Sequence, residues 1–203
     1  MAMLTRLRNL PKDERGVYVT EFALIAPVFF IMLLGTFDMA HGLYMQTELQ
    51  GIIQKAGRDL TLETGTEAAK QAALDASVEA RLKNLAKNAT VTFSRRYFKD
   101  FTKAAQATAE PFTDTNANGR CDAGEPYQDN NNNSVWDKDG GDSGQGGAKD
   151  NVVYTVSISY PRMFKFGMIG LPTTTNLTAS TVLANQPYGD QSSYATPTQR
   201  NCT

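Results

Sequence analysis

One uncharged apolar stretch constrains what the whole chain can fold into. It lies in the segment RGVYVTEFALIAPVFFIMLLGTFDMAHGL, residues 15–43, in which residues 22–37 carry no charge. A helix over residues 17–37 is roughly 31 Å long at about 1.5 Å per residue, which matches a bilayer hydrocarbon core of about 30 Å. The sequence therefore predicts a transmembrane helix over residues 17–43, to which the rest of the chain is attached.

The charges on either side of this helix predict its orientation. Residues 1–16 form a short basic leader, whereas Asp38 and Glu48 follow the apolar run. Positive charge favours the cytoplasmic side, so we expect a cytoplasmic N-terminus and an extracytoplasmic domain over residues 65–203. A secretory signal peptide is the alternative. However, the apolar run is longer than the roughly 7–15 residues of such a peptide, and no small-residue cleavage site ends it.

Glu21 is the ionisable residue within the apolar stretch, and it lies five positions after Gly16. A carboxylate toward the bilayer centre costs about 2.5 kcal/mol or more, so an acid at membrane depth is a functional hypothesis. The alternative is that its side chain only reaches out to the polar interface. Phe22 follows Glu21, and the basic leader precedes Gly16.

This arrangement resembles the processing site of type IV pilin-like proteins. The segment GVYVTEFALIAPVFFIMLLGTFDMAHGLY is most similar to TadE-like proteins, the minor pseudopilins of tight-adherence (Tad) pili. The resemblance implies that a prepilin peptidase cuts between Gly16 and Val17 and that Val17 becomes the new N-terminus. A new α-amino group in an apolar layer needs a counter-charge, and Glu21 of a neighbouring subunit can supply it.

The same resemblance implies a location, partners and a function. It implies a single-pass protein of the bacterial inner membrane with a periplasmic domain, and it leaves open whether the chain enters the filament. The implied partners are other pilins or pseudopilins and the pilus assembly machinery, and the implied function is assembly of an adhesive Tad-type pilus. The alternative is an uncleaved, membrane-anchored calcium-binding surface or adhesion protein.

Helical spacing continues after the membrane segment. Leucine, isoleucine and alanine recur every three or four residues, which predicts an amphipathic continuation over residues 44–64. The apolar positions are Leu49, Ile52, Ile53, Ala56 and Leu60. An alanine-rich run over residues 67–87 favours a second helix.

After the second predicted helix, apolar residues recur at every second position instead of every third or fourth. Alternating or β-branched runs predict strands near residues 91–98, 152–160 and 176–184. We therefore expect an α+β, pilin-like fold. It would contain a long N-terminal helix, a second helix and a three-stranded antiparallel sheet, interrupted by a polar insert over residues 111–148.

The insert contains an EF-hand-like calcium loop. Oxygen-bearing residues occupy the first, third, fifth, seventh, ninth and twelfth positions, and Gly119 occupies the sixth, where the chain must turn sharply. The predicted ligands are Asp114, Asn116, Asn118, the carbonyl of Arg120, Asp122 and Glu125. Ca²⁺ takes about 6–8 oxygen ligands, and this set supplies them. The alternative is that this Asp/Asn/Gly-rich segment only forms turns or is disordered, without binding a metal.

A second copy of the loop follows fifteen residues later. Its predicted ligands are Asp129, Asn131, Asn133, the carbonyl of Val135 and Asp137. Ser134 replaces the glycine and Gly140 occupies the twelfth position, so we predict that Asp139 or Asp142 substitutes for the missing acid. The spacing leaves no room for flanking EF-hand helices. The pair resembles the tandem Asp/Asn loops of dockerins and thrombospondin type 3 repeats.

The remaining composition excludes several functions. The chain has 20 basic and 21 acidic residues, which excludes a strongly basic nucleic-acid binder. With His41 as the single histidine and no nucleophile paired with a base, we expect no enzyme. An extracytoplasmic location favours a disulfide between Cys121 and Cys202, and free or intermolecular thiols are the alternative.

Overall fold

The computed structural model describes residues 16–61, 68–164, 170, 172–186, 189–193 and 196–203. The predicted leader, apart from Gly16, lies outside the described residues. So do the last residues of the predicted amphipathic segment, 62–64, and the first residue of the predicted second helix, Glu67.

Helix α1 runs from Val17 to Leu60 and joins the two predicted segments in one element. By length and composition it can cross a membrane, and 6% of its most apolar window is buried. Large apolar side chains are exposed along its N-terminal part. They include Val17, Tyr18, Val19, Phe22, Leu24, Ile25, Val28, Phe29, Phe30, Ile31, Met32 and Phe37.

The chain divides into two compact units. The first contains residues up to Leu43 together with Arg162–Thr173, and the second contains Tyr44–Pro161 with Thr174–Thr203. Within the first unit, Arg162 Nη1 donates a hydrogen bond to Asp38 Oδ2 at 2.6 Å. The second unit contains the sheets, the second helix and the insert.

Helix α2 runs from Ala68 to Leu85, and strand β1 follows from Thr90 to Phe98. Asn88 lies in the turn between them with a left-handed φ of 64°, a conformation that asparagine tolerates. The predicted helix extended to Lys87, two residues beyond the observed end at Leu85. A short helix, α3, runs from Phe101 to Gln106 and is capped by the Asp100 side chain.

The main sheet has four strands rather than the predicted three. Its order is β3 (Asp142–Ser143), β1, β4 (Asn151–Pro161) and β5 (Thr174–Ala184), and all neighbours are antiparallel. β1, β4 and β5 are the three strands that the alternating pattern predicts. β3 is a two-residue edge strand within the insert, too short to show any periodicity.

A second, two-stranded sheet pairs β2 (Pro126–Asp129) with β6 (Thr198–Asn201). Neither strand was predicted, since each is only four residues long and neither carries a period-two apolar signal. The pairing instead joins the insert to the C-terminal segment, and a disulfide described below links the same two parts of the chain.

The core of the second unit lies between the two helices and one face of the main sheet. The buried side chains of α1 are Met45, Leu49, Ile53, Ala56 and Leu60, and those of α2 are Val78 and Leu82. They pack with alternate residues of β4, namely Tyr154, Val156, Ile158 and Tyr160. The predicted amphipathic face of α1 is therefore the buried one.

One half-buried carboxylate ties α2 to the sheet. Asp75 of α2 accepts hydrogen bonds from Arg95 Nη1 at 2.9 Å and Nη2 at 2.5 Å, and from the Tyr154 hydroxyl at 2.9 Å. The Arg95 guanidinium also lies 4.7 Å from the centre of the Tyr154 ring. Burial, followed by the hydrogen bond to Asp75, raises the pKa of Tyr154.

Candidate metal-binding insert

The insert is built from two copies of one sequence unit. Glu110-Pro111-Phe112 precedes the first loop by the same spacing with which Glu125-Pro126-Tyr127 precedes the second. In both copies an aspartate follows the aromatic residue at the second position, and Asp/Asn residues then alternate. The EF-hand-like pattern predicted the loops but not this leading Glu-Pro-aromatic triplet.

The two copies pair symmetrically through their triplets. Phe112 and Tyr127 form an antiparallel β-bridge. On either side of it, Thr113 N–H donates to the Pro126 carbonyl at 2.8 Å and Gln128 N–H donates to the Pro111 carbonyl at 2.9 Å. Each hydrogen bond is the counterpart of the other, so the copies are related by a local pseudo-twofold axis.

In the first loop, the carboxylates at the first and last positions hold the backbone. Asp114 accepts the N–H groups of Asn118 at 3.2 Å and Gly119 at 2.7 Å. Glu125 accepts the N–H of Thr115 at 2.8 Å and that of Asp122 at 2.9 Å. These bonds close the chain into the ring that the motif predicts.

The other predicted ligands of this loop converge on Asp122. Its Oδ2 accepts hydrogen bonds from the Asn116 side-chain amide at 2.8 Å and from that of Asn118 at 2.6 Å. These two bonds, that from Asn116 first, lower the pKa of Asp122. The N–H of Arg120 donates to Asn118 Oδ1 at 2.8 Å. The pKa of Glu125 is lowered chiefly by the Asp122 N–H.

The second loop repeats this geometry. Asp129 accepts the N–H groups of Asn133 at 3.2 Å and Ser134 at 2.9 Å. The side-chain amides of Asn131 and Asn133 donate to Asp137 Oδ2 at 2.9 and 2.6 Å. Val135 N–H donates to Asn133 Oδ1 at 2.7 Å, as Arg120 does in the first loop.

The backbone conformations match as well. Positions four and six are left-handed in both loops, with φ of 57° at Ala117 and 76° at Gly119, and of 60° at Asn132 and 67° at Ser134. A left-handed conformation is unfavourable for most residues with a Cβ atom. Its recurrence at the serine that replaces the glycine shows that the loop geometry, rather than the local residue preference, sets the backbone there.

The second loop receives its closing acid from outside its own sequence. Glu110 Oε1 accepts Asn130 N–H at 2.7 Å and its Oε2 accepts Asp137 N–H at 3.1 Å. These donors are the second and ninth positions of the loop, which are the positions that Glu125 binds in the first loop. Glu110 is 1% exposed. Burial raises its pKa, and the two N–H groups oppose that change.

The acids that the sequence suggested for this role have other partners. Asp139 pairs with Arg96, whose Nη2 lies 2.5 Å from Oδ1. Asp142 Oδ1 accepts a hydrogen bond of 3.3 Å from the Asn133 amide, and burial raises the pKa of Asp142. Asp142 therefore contacts the second loop, whereas Asp139 forms an ion pair with Arg96.

Two arginines bind the carboxylates of the second loop. Arg96 Nη2 lies 2.5 Å from Asp137 Oδ1, and Arg200 Nε donates to Asp129 Oδ2 at 2.7 Å. Both carboxylate side chains are nearly buried, at 7% and 0% exposed. Among the described residues, no ion pair joins a lysine or arginine to Asp114, Asp122 or Glu125. The first loop thus keeps more of its negative charge.

The predicted disulfide between Cys121 and Cys202 is confirmed. The two Cα atoms lie 5.8 Å apart, and the bridge spans a sequence separation of 81. Next to it, Gly124 N–H donates to the Cys202 carbonyl at 2.9 Å and Cys202 N–H donates to the Glu125 carbonyl at 2.8 Å. The C-terminal segment is thereby fixed beside the first loop.

The oxygen ligands that the two loops offer suit a hard cation, but carboxylates alone do not complete either site. In the part of the chain that the structure describes, no three His, Cys, Asp or Glu side chains are grouped so that they could hold a metal. Each loop must therefore supply Asn and backbone carbonyl oxygens as well, which Ca²⁺ accepts. The Asn116 and Asn118 amides direct nitrogen toward Asp122, and turning each amide over would present oxygen instead.

The predicted processing site lies where α1 begins. Gly16 directly precedes the helix, Val17 is its first residue, and Glu21 is exposed. A Cβ atom added at Gly16 would have no neighbour within 4 Å. Among the described residues, therefore, nothing packs closely on Gly16, and Val17 is 46% exposed.

One comparison with known proteins finds a similarity over most of this helix. Residues 16–58 match the family model for TadE-like protein. No curated protein and no solved structure matches the chain. The match begins at Gly16 and ends within α1, so the sheets and the insert lie outside it. The TadE-like resemblance that the sequence predicts is therefore confirmed for residues 16–58.

Proposed function

We propose that this chain is a minor pilin or pseudopilin used in assembling an adhesive Tad-type pilus. The observation that carries the proposal is the TadE-like match, which begins at Gly16 and follows an apolar helix with exposed side chains. Such a helix needs an apolar environment, and either a bilayer or the helices of neighbouring pilins provides one. The proposal assigns the chain no catalytic activity.

In this proposal the prepilin peptidase cuts the Gly16–Val17 bond. The mature chain is held in the inner membrane by α1, with the folded unit in the periplasm. Glu21 then neutralises the α-amino group of Val17 in an adjacent subunit. Partners are other pilins or pseudopilins and the assembly machinery, and the chain needs no nucleic acid. An oxidising periplasm also suits the Cys121–Cys202 disulfide.

The mature N-terminus tests this proposal. Mass spectrometry of the membrane fraction should find a chain beginning at Val17 when the peptidase is present and an intact leader when it is deleted. Gly16→Leu should block cleavage, whereas Gly35→Leu, a matched change within the same helix, should not. An intact leader on the assembled protein would contradict the proposal.

We further propose that the two loops bind Ca²⁺ and thereby rigidify the insert. The support is the closed, repeated loop geometry with oxygen donors at the expected positions. Extracellular calcium modules of this kind bind with a Kd of about 10⁻⁴ to 10⁻³ M. Without the ion, the acids of each loop repel one another.

Calorimetry on the full chain in detergent tests the calcium proposal. We expect heat on titration with millimolar CaCl₂ and a much smaller response to MgCl₂, since Mg²⁺ demands stricter geometry. Hydrogen exchange should be faster over residues 110–143 in chelator, with β4 unchanged as the internal control. The absence of heat at millimolar Ca²⁺ would refute the calcium role while leaving the pilus assignment intact.

The insert also supports a second candidate function, an uncleaved, membrane-anchored calcium-binding surface or adhesion protein. The observation that favours it is the insert itself, which lies outside the TadE-like match and is braced by a disulfide. The same mass spectrometry separates the candidates, because this one requires a chain that retains its leader.

A further inference from the structure

We infer that Glu110 is the closing acidic ligand of the second calcium loop, so that the two repeats exchange their glutamates. Glu125 of the second repeat closes the first loop, and Glu110 of the first repeat closes the second. The inference rests on the calcium role proposed above and assigns a ligand to a site that the loop sequence leaves incomplete.

The first support is the equivalence of the two glutamates. In each loop the glutamate accepts the N–H groups at positions two and nine. The distances are 2.8 and 2.9 Å for Glu125, and 2.7 and 3.1 Å for Glu110. A carboxylate held in this way is fixed beside the ninth-position aspartate, where the last ligand of such a loop belongs. Glu110 therefore occupies the place that the twelfth residue takes in the first loop.

The second support is that the twelfth position of the second loop cannot carry an acid. Gly140 has φ of 67°, and a Cβ atom added there would lie 2.6 Å from the Thr108 carbonyl oxygen. That oxygen belongs to the backbone, so a side chain could fit only if the chain moved. Glycine at this position leaves room for the segment that carries Glu110.

The third support is independent of the loop hydrogen bonds. The hydroxyl of Tyr127 is buried, at 2% residue exposure, and has no hydrogen-bond partner among the described residues. Tyr127 and Asp129 are alternate, buried residues of β2, so their side chains lie on one face of that strand. A buried hydroxyl needs a partner, which a cation-bound water within the second loop would supply.

Terbium luminescence of the full chain in detergent tests the inference. Trp136 is the single tryptophan and occupies the eighth position of the second loop, so it sensitises Tb³⁺ bound there. Glu110→Gln keeps a carbonyl acceptor for one of the two N–H groups and removes the charge. We expect it to weaken Trp136-sensitised Tb³⁺ binding at least tenfold and to lower the calorimetric Ca²⁺ stoichiometry from two to one. Glu125→Gln, the matched control, should retain the sensitised signal.

Several outcomes would overturn the inference or separate it from the calcium role. Unchanged Tb³⁺ affinity in Glu110→Gln would overturn it while Ca²⁺ binding stands. A wild-type chain that binds neither Ca²⁺ nor Tb³⁺ would refute the calcium role itself. If Glu110→Gln does not fold, carboxyl ¹³C NMR of the wild-type chain decides, since Ca²⁺ must shift the Glu110 signal. An unshifted signal would overturn the inference.

Discussion

Asp75 of α2 and Arg95 of β1 form a two-point ion pair at 2.9 and 2.5 Å, with side chains 21% and 12% exposed. The pair joins the second helix to the sheet, and the Tyr154 hydroxyl completes it. The three groups lie between α2 and the sheet, so Arg95 and the Tyr154 hydroxyl depend on the Asp75 carboxylate for their hydrogen bonds.

Removing the carboxylate should therefore be costly. We expect Asp75→Ala to lower the free energy of unfolding by about 3 kcal/mol, because it leaves a partly buried guanidinium and a buried hydroxyl without their acceptor. Urea unfolding of the full chain in detergent, followed by near-UV circular dichroism, measures the loss. Glu79→Ala is the matched control on the same helix. It breaks an exposed pair with Lys83, which we expect to contribute less than about 0.5 kcal/mol.

The raised pKa of Tyr154 predicts a loss of stability at alkaline pH. Tyrosine in the unfolded chain ionises near pH 10, whereas Tyr154 in the folded chain keeps its proton to higher pH. The folded state then binds more protons, so its advantage is complete below about pH 10 and is lost as the pH rises further. Tyr154→Phe should flatten the fall of melting temperature above about pH 10. An identical slope in both proteins would contradict the assignment.

Ser134 has a left-handed backbone conformation, so replacing it with glycine should stabilise the insert. Glycine adopts this conformation without the steric penalty of a Cβ atom, and Gly119 occupies the same position in the first loop. We expect Ser134→Gly to stabilise the insert by about 1 kcal/mol and Gly119→Ala to destabilise it by a similar amount. No neighbouring atom would meet the new Cβ at Gly119, so the effect is one of backbone strain. Hydrogen exchange within the two loops reports both changes.

The disulfide should contribute stability because it closes a long loop of chain. The sequence separation of 81 predicts a contribution of about 4 kcal/mol from restricting the unfolded chain. Reductant should lower the urea midpoint and speed hydrogen exchange in β2 and β6. A Cys121→Ala, Cys202→Ala chain should start at the lower midpoint and show no response to reductant. A urea midpoint of the wild-type chain that does not change with reductant would contradict the prediction.

The sequence predicted those parts of the fold that have a strong period. Tyr154, Val156 and Ile158 alternate with polar residues, and they line the buried face of β4. The three- and four-residue spacing of Leu49 and Ile53 likewise predicted the buried face of α1. In these elements burial repeats along the chain, so local pattern and tertiary structure agree.

The sequence did not predict the features that depend on contacts between distant segments. β6 pairs with β2 through the backbone and shows no apolar alternation of its own. Glu110 reaches Asp137, which is 27 positions away, so no reading of the loop spacing alone could assign it. The signal was nevertheless present, as the repeated Glu-Pro-aromatic triplet that places Glu110 in register with Glu125.

The ion pair between Asp38 and Arg162 has a consequence for biosynthesis. The two residues are 124 positions apart, and a ribosome adding about 5–20 residues per second needs roughly 6–25 s to make that interval. Asp38 is thus translated before its partner exists. During that interval the acid depends on water or on another protein, and the bond forms only after translation has passed the end of β4.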